Sequence, residues 1–299
     1  MRFPALSPNL GAGHLRGLLI TAAGVLVLSP DALLVRLIDT PAPTLLFWRG
    51  LLIGVAFAVL VLMLHGRGAG AAVRAVGRPG IAAGLIFGAS TTGFTLSVLT
   101  TAAANTLIIV ATGPLFAALM SRVFLKEHVT PGTWAAIGLV FVGITLTAAG
   151  DAHRVPLAEA VRIGDGLALL TALLLAANLN LFRRMAAPDR SPALALGGFA
   201  AAAAFAPFAR PLAVPAPDVP WLGLLGLVVV PGAFALISRG PRYLPAPEVS
   251  MLILVETVLG TLWVWAVLGE APTPAAWAGG ALVLGTLTVH FRRQLRQAG

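Results

Sequence analysis

The stretch LKEHVTPGTWAAIGLV at residues 125–140 returns, without a gap, as LGEAPTPAAWAGGALV at residues 268–283. Leu125, Glu127, Thr130, Pro131, Trp134, Ala135, Leu139 and Val140 fall on Leu268, Glu270, Thr273, Pro274, Trp277, Ala278, Leu282 and Val283, eight identities in sixteen positions. Shared hydrophobicity supplies matches of Leu, Val and Ala. It does not put a Glu, a Pro and a Trp in one register. The same offset of 143 carries residues 105–147 onto 248–290, so the chain reads as two copies, residues 1–150 and 151–299.

Around these two stretches the sequence is apolar nearly throughout, with 58% hydrophobic and only 10% charged residues among 299. A soluble domain carries roughly 25% charged residues, so lipid is the expected solvent. Ten apolar segments are counted, at 15–35, 43–64, 80–100, 106–124, 133–149, 163–182, 192–208, 221–238, 249–268 and 274–290. The expected fold is therefore an all-α membrane protein of ten transmembrane helices in two five-helix repeats. Because five is odd, the second copy enters the bilayer inverted relative to the first, and Glu127 and Glu270 face opposite sides. Inverted repeats characterise many alternating-access carriers, whose site lies near the midplane between the halves.

The net charge of +9 is sorted rather than spread. With the N-terminus inside, fifteen of the twenty Lys and Arg fall on the inner side, four (Arg36, Arg154, Arg162 and Arg210) on the outer, and Arg49 just within the second span. This asymmetry is the positive-inside pattern and places both termini in the cytoplasm. The basic balance thus reports topology and points to no nucleic-acid partner. The first apolar run is of spanning length without a convincing small-residue cleavage site, so it reads as a retained helix.

Other functions are weighed by what the chain lacks. There is no cysteine, hence no disulfide or thiolate metal site. The only lysine, Lys126, is not in a GxxxxGK[ST] loop, and about a hundred residues outside the spans leave no room for a nucleotide-binding domain. His14, His65, His128, His153 and His290 stand at span ends or in loops, so no intramembrane metal site is expected. No constellation of acid, base and nucleophile emerges, and the chain is not expected to be an enzyme or to hold a cofactor.

Polar residues inside spans are the candidates for a binding site, since each is costly to insert in lipid. Glu256, about eight residues into the ninth span, can hold a substrate ammonium, cycle a proton, or bond a broken helix backbone. Asn178 and Asn180 in the sixth span suit a zwitterionic ligand or interhelical hydrogen bonds equally. In the third span, Thr91, Thr92 and Phe94 sit in GASTTGFTLSVLTT (88–101), where Gly84 and Gly88 also make a GxxxG packing spacing. Thr112, Gly113 and Pro114 interrupt the fourth span and can free backbone carbonyls. Ser29, Pro30 and Asp31 stand in the outer third of the first; Asp31 can line a gate or pair with Arg36 or Arg49. Phe234 and Trp263 offer apolar surface to an aromatic ligand, although packing accounts for Trp263 as well.

The ten-helix layout, with GPLFAALMSRVFLKE at 113–127 and ETVLGTLWVWAVLGE at 256–270 each followed by a Thr-Pro and a Trp, resembles the drug/metabolite transporter superfamily, EamA type. Pro114, Glu127 and Glu270 match family positions. Thr257 stands where a second proline is usual, which removes the obvious source of a kink in the ninth helix. Within the superfamily the sequence is similar to YddG-type bacterial exporters of aromatic and other neutral amino acids. The resemblance implies a bacterial inner-membrane carrier, able to work as a monomer, that exports small metabolites by alternating access. A multidrug exporter of lipophilic cations and a non-transporting membrane scaffold or receptor are the competing expectations.

Overall fold

The structure, a computed structural model, describes residues 10–100, 103–151, 163–185, 189–268 and 274–298. Glu270 and Thr273, which anchor part of the repeat comparison, lie outside them. Among the described residues the chain is all-helical, with no strand. In chain order the helices are α1 (Leu10–Leu28), α2 (Asp31–Leu37), α3 (Ala42–His65), α4 (Ala69–Ala75), α5 (Gly77–Thr100), α6 (Ala103–Val110), α7 (Gly113–Met120), α8 (Pro131–Asp151), α9 (Ile163–Arg184), α10 (Ser191–Phe205), α11 (Val219–Gly223), α12 (Val230–Ile237), α13 (Ala246–Ile253), α14 (Val255–Leu268) and α15 (Pro274–Ala298).

Six segments are long and apolar enough to cross a membrane: Gly13–Leu37, Ala42–Ala75, Gly77–Thr100, Ile163–Arg184, Ala216–Arg242 and Ala246–Val267. Shorter apolar helices run over Gly113–Leu125, Pro131–Leu146 and Ser191–Phe205. Large apolar side chains such as Leu19, Leu62, Val123, Val142 and Val228 stand exposed on the perimeter. A bundle apolar both inside and outside fits lipid, where every backbone polar group must be satisfied within a helix.

Four breaks divide apolar runs of the chain, and three of them have a proline as cause. Pro30 separates α1 from α2, Pro114 follows the break between α6 and α7, and Pro231 follows a wide π turn at 224–229 that joins α11 to α12. Proline lacks the N–H that would continue the ladder, so the helix opens one turn before it. The fourth break, between α13 and α14 at Leu254, has no proline at hand. It is a tight turn in which Leu254 N–H donates to Met251 and Thr257 N–H donates to Leu254. The ninth segment therefore bends despite Thr257, and it bends directly before Glu256.

Helix pairing brings the two halves of the chain together. α3 packs on α10, α8 on α15, α5 on α9 and α10, and α1 on α12, while α7, α9 and α13 meet in the interior. Small residues set the α3–α5–α10 approach: a Cβ on Gly198 would lie 2.5 Å from the Gly54 nitrogen, and one on Gly50 2.7 Å from the Ala202 nitrogen. On the other face of α10, side chains at Gly84 and Gly88 would overlap the Ala193 and Gly197 carbonyls. The GxxxG spacing in α5 is thus a packing seam.

Candidate functional site

The Ser29–Pro30 break starts α2 afresh, and Asp31 in its first turn points inward to meet Arg49, two turns into α3. Arg49 Nη2 donates to Asp31 Oδ2 at 2.9 Å, and Nη1 donates to the Thr95 hydroxyl of α5 at 2.5 Å. Thr95 passes its own proton to the Thr91 carbonyl at 2.9 Å. Both charged side chains are about 95% buried, with Asp31 Oδ1 and Arg49 Nε lacking a hydrogen-bond partner among the described residues. A pair so buried is held only because each charge compensates the other.

Glu256, in the first turn of α14, is buried within electrostatic range of both Asp31 and Arg49. No hydrogen bond to its carboxylate is found among the described residues. The cluster therefore gathers two carboxyl groups around one guanidinium. With both ionised it carries one excess negative charge, which a cationic group or a proton can neutralise.

The other residues singled out in the sequence make contacts of their own. The Ser29 hydroxyl donates to the Leu26 carbonyl at 2.8 Å and accepts the Trp263 indole N–H at 2.9 Å, joining the end of α1 to α14. The Trp263 ring itself is 44% exposed on the outer surface. Phe234 packs edge-on against Phe87 at 4.8 Å between centroids, and Phe94 is buried. The hydroxyls of Thr91 and Thr112 donate to the Gly88 and Ile109 carbonyls and keep their acceptor lone pairs, while Thr92 is half-buried. Pro114 is buried at the start of α7, next to Gly113, which faces Ser250 of α13.

Asn178 and Asn180 do not join them. Asn178 donates to the Ala83 carbonyl of α5 at 2.6 Å. Asn180 donates to the Ala176 carbonyl at 2.9 Å, and to that of Ala117 in α7 at 3.3 Å, while accepting from Ser121 at 2.9 Å. Both amides cross-link α9 to its neighbours, with only the Asn178 oxygen left without a partner.

A second group of charges lies at the opposite end of the bundle. There a cavity of about 910 Å³ is lined by Glu127, Arg183, Arg242, Thr130, Thr133 and Glu248, among others. The end of the fourth span opens into a π turn at 121–125, after which Lys126 adopts a left-handed φ of 55° and the Glu127 N–H closes on the Ser121 carbonyl at 3.2 Å. That turn, unusual for a residue with a side chain, aims the Glu127 carboxylate at Arg183, whose Nε donates to Oε1 at 2.9 Å. Arg183 Nη1 also donates to the Pro241 carbonyl at 2.9 Å. None of the residues nominated from the sequence lines this cavity.

Sequence reasoning located Glu256 and named Arg49 as one partner open to Asp31. It missed Thr95 and the whole convergence at the Glu248 end. Its signal was present only as a Glu in the first turn of a spanning helix, a position easily read as an interfacial charge.

A family model described as the EamA-like transporter family matches residues 15–149 and 162–291. A search of the curated proteins returns no match. One solved crystal structure aligns over 93% of this chain and 97% of its own, with a TM-score of 0.74 and 21% identity, a likeness of fold.

Proposed function

The chain belongs to the EamA-like transporter family, a family of membrane transporters, and on that premise we propose that it exports amino acids, aromatic and neutral ones foremost, by alternating access. Ten crossings in two inverted five-helix repeats, 1–150 and 151–299, supply the moving parts. Three observations support the repeat: the two matched stretches fall on either side of that boundary, α5 packs on α9 as α1 packs on α12, and counterpart helices pair directly, α3 with α10 and α8 with α15. The sorting of the basic residues supports a topology with both termini and the Arg183 cavity facing the cytoplasm, in what the resemblance implies is a bacterial inner membrane.

The observation that carries the substrate reading is Glu256, a buried carboxylate at a helix break with no hydrogen bond among the described residues, within electrostatic range of a carboxylate already committed to Arg49. A zwitterion brings an ammonium for Glu256 and for the acceptor lone pairs of Thr91 and Thr112, and its carboxylate finds the N–H donors of the broken helices. The phenyl groups of Phe94, Phe87 and Phe234 offer surface to an aromatic side chain. Transport needs no chemistry on the substrate and no cofactor; binding and release on opposite sides suffice.

The test is uptake of labelled amino acids into liposomes containing the purified protein, with and without a proton gradient, beside Glu256→Gln. Saturable uptake is expected, and the variant is expected to lose about tenfold or more in apparent affinity, the worth of a charge-assisted hydrogen bond. Because the excess charge at the cluster is negative, a lipophilic cation is the second candidate. Flux of such cations with none of any amino acid would overturn the amino-acid reading.

A further inference from the structure

Four polar side chains from three helices converge beside the Arg183 cavity and only partly satisfy one another. Glu248, in the first turn of α13, is 5% exposed. Its Oε1 accepts from Gln294 Nε2 of α15 at 2.8 Å, and its Oε2 lies 3.5 Å from His14 Nε2 of α1. His290, one turn before Gln294 on the same face of α15, is buried next to them. His14 Nε2, Glu248 Oε2, His290 Nε2 and Gln294 Oε1 are all buried and lack hydrogen-bond partners among the described residues.

The arrangement can hold one proton more than its neutral imidazoles carry. A neutral His14 has a single N–H: on Nδ1 it leaves the Nε2 lone pair opposed to the carboxylate, and on Nε2 it offers Glu248 only an uncharged donor across 3.5 Å. One further proton strengthens that contact, as an imidazolium with a carboxylate or as a carboxylic acid with an imidazole. The groups facing the site from every side are few. Arg183 of α9 and Glu127 are within electrostatic range of Glu248 across the cavity, and His14 is within range of His290. Arg242, Lys126 and His128 line the same cavity, and Arg293 lines a smaller one of about 380 Å³ between α8 and α15 that also reaches His290 and Gln294. The carboxyl group thus touches a solvent route on one side and the imidazoles on the other.

We propose that Glu248, His14 and His290 form a proton-binding site, separate from Glu256, whose occupancy sets how far the Arg183 cavity opens. The bound proton ties α13 to α1, beside the Gln294 bond that holds α13 to α15. Its loss weakens the tie to α1 and leaves a buried, uncompensated carboxylate, so α13 moves to bring Glu248 to the water of the cavity and the mouth widens. The inference rests on the carrier reading for its consequence, since a proton that moves one gate is a proton that can drive transport or regulate it.

The chain has no native cysteine, so a single Val129→Cys in the cavity wall reports opening without a cysteine-free background having to be built. The rate of labelling by an uncharged thiol reagent, divided at each pH by the rate for the same protein unfolded, removes the thiol's own titration. A several-fold rise in the normalised rate is expected between about pH 5 and about pH 8, the interval where imidazoles titrate. Glu248→Gln is expected to abolish that rise, and His14→Gln, which keeps a donor that cannot titrate, to abolish it without removing Glu248. A flat profile in the unmodified background, or a profile unchanged in both variants, would overturn the proposal, as would its disappearance in His128→Gln alone. The assay uses no substrate, so absence of amino-acid flux with a pH-dependent, Glu248-dependent label would count against the substrate reading only.

Discussion

Asp31–Arg49 and Glu127–Arg183 are chemically the same contact, a carboxylate and a guanidinium with N···O distances of 2.9 Å, set in opposite surroundings. The first pair keeps only 4–5% of its side-chain surface exposed, inside helices packed so closely that glycines face backbone. The second keeps 23–29% and borders a cavity of about 910 Å³. Geometry alone would rank them equal. Their surroundings make the buried pair a fixed element of the bundle and the exposed pair one that can be exchanged. On the proposed alternating-access reading, that difference lets one end open while the other stays closed.

The largest effect is expected where removal of a partner strands a buried charge. Arg49→Met leaves Asp31 and Glu256 together without a cation, and thermal unfolding in detergent should show a loss of about 3–5 kcal/mol. Adding Asp31→Leu should restore much of it, because an apolar pair of similar volume does not carry the desolvation penalty. If Arg49→Met is as stable as the parent, the buried pair is not the fixed element and the comparison fails.

A smaller loss is expected from prising open the wall that keeps the pair dry. Gly198→Val forces a side chain into the place of the Gly54 backbone, where a Cβ already comes within 2.5 Å. Overpacking of this kind costs about 1–3 kcal/mol. The same change is expected to let water reach Arg49, seen as faster exchange of amide protons in the first half of α3. Unaltered exchange would mean that α3–α10 packing and ion-pair burial are independent.

How much of this contrast was legible in the sequence follows from the range of the forces involved. Apolar runs and the break at Pro114 are local, and a reading along the chain recovers them, whereas the π turn before Pro231 was not read from it. Glu256 was legible because a carboxylate inside an apolar run needs an explanation on its own. The burial of Asp31–Arg49 was not, because it depends on Gly50, Gly54 and Gly198 bringing α10 onto α3 from more than 140 residues away. The bend before Glu256 escaped too, since the sequence signal sought was a proline and the chain turns at Leu254 without one. His14 and His290 read as residues at span ends and Glu248 was not singled out; what makes them a group is the meeting of α1, α13 and α15, which no spacing records.

At the cavity end, Glu127→Gln should shift stability by no more than about 1 kcal/mol, since a pair this exposed is screened and its partner stays solvated. Raising the salt concentration should weaken the parent towards the variant. A loss as large as that of Arg49→Met would place Glu127–Arg183 in the fixed class, and the difference in surroundings would no longer explain the two ends.

The smallest effect lies outside the spans, at the same end, where Asp189 in the turn before α10 accepts from the Ser191 N–H at 3.0 Å and meets His65 Nε2 at 2.9 Å. Burial acts to raise its pKa, but the bonds from Ser191 and His65 outweigh it and hold the carboxyl below its ordinary value. A carboxylate depressed on folding adds stability above its unfolded pKa and gives that contribution up as the pH falls through the folded one. Unfolding of the parent followed downward from about pH 5 should therefore show a loss that Asp189→Asn lacks, the two curves converging in acid. The same difference between parent and Asp189→Asn is expected in the Arg49→Met background, because sites at opposite ends of the bundle with no shared partner contribute additively. A difference that changes with the background would mean that one charge network spans the bundle from end to end.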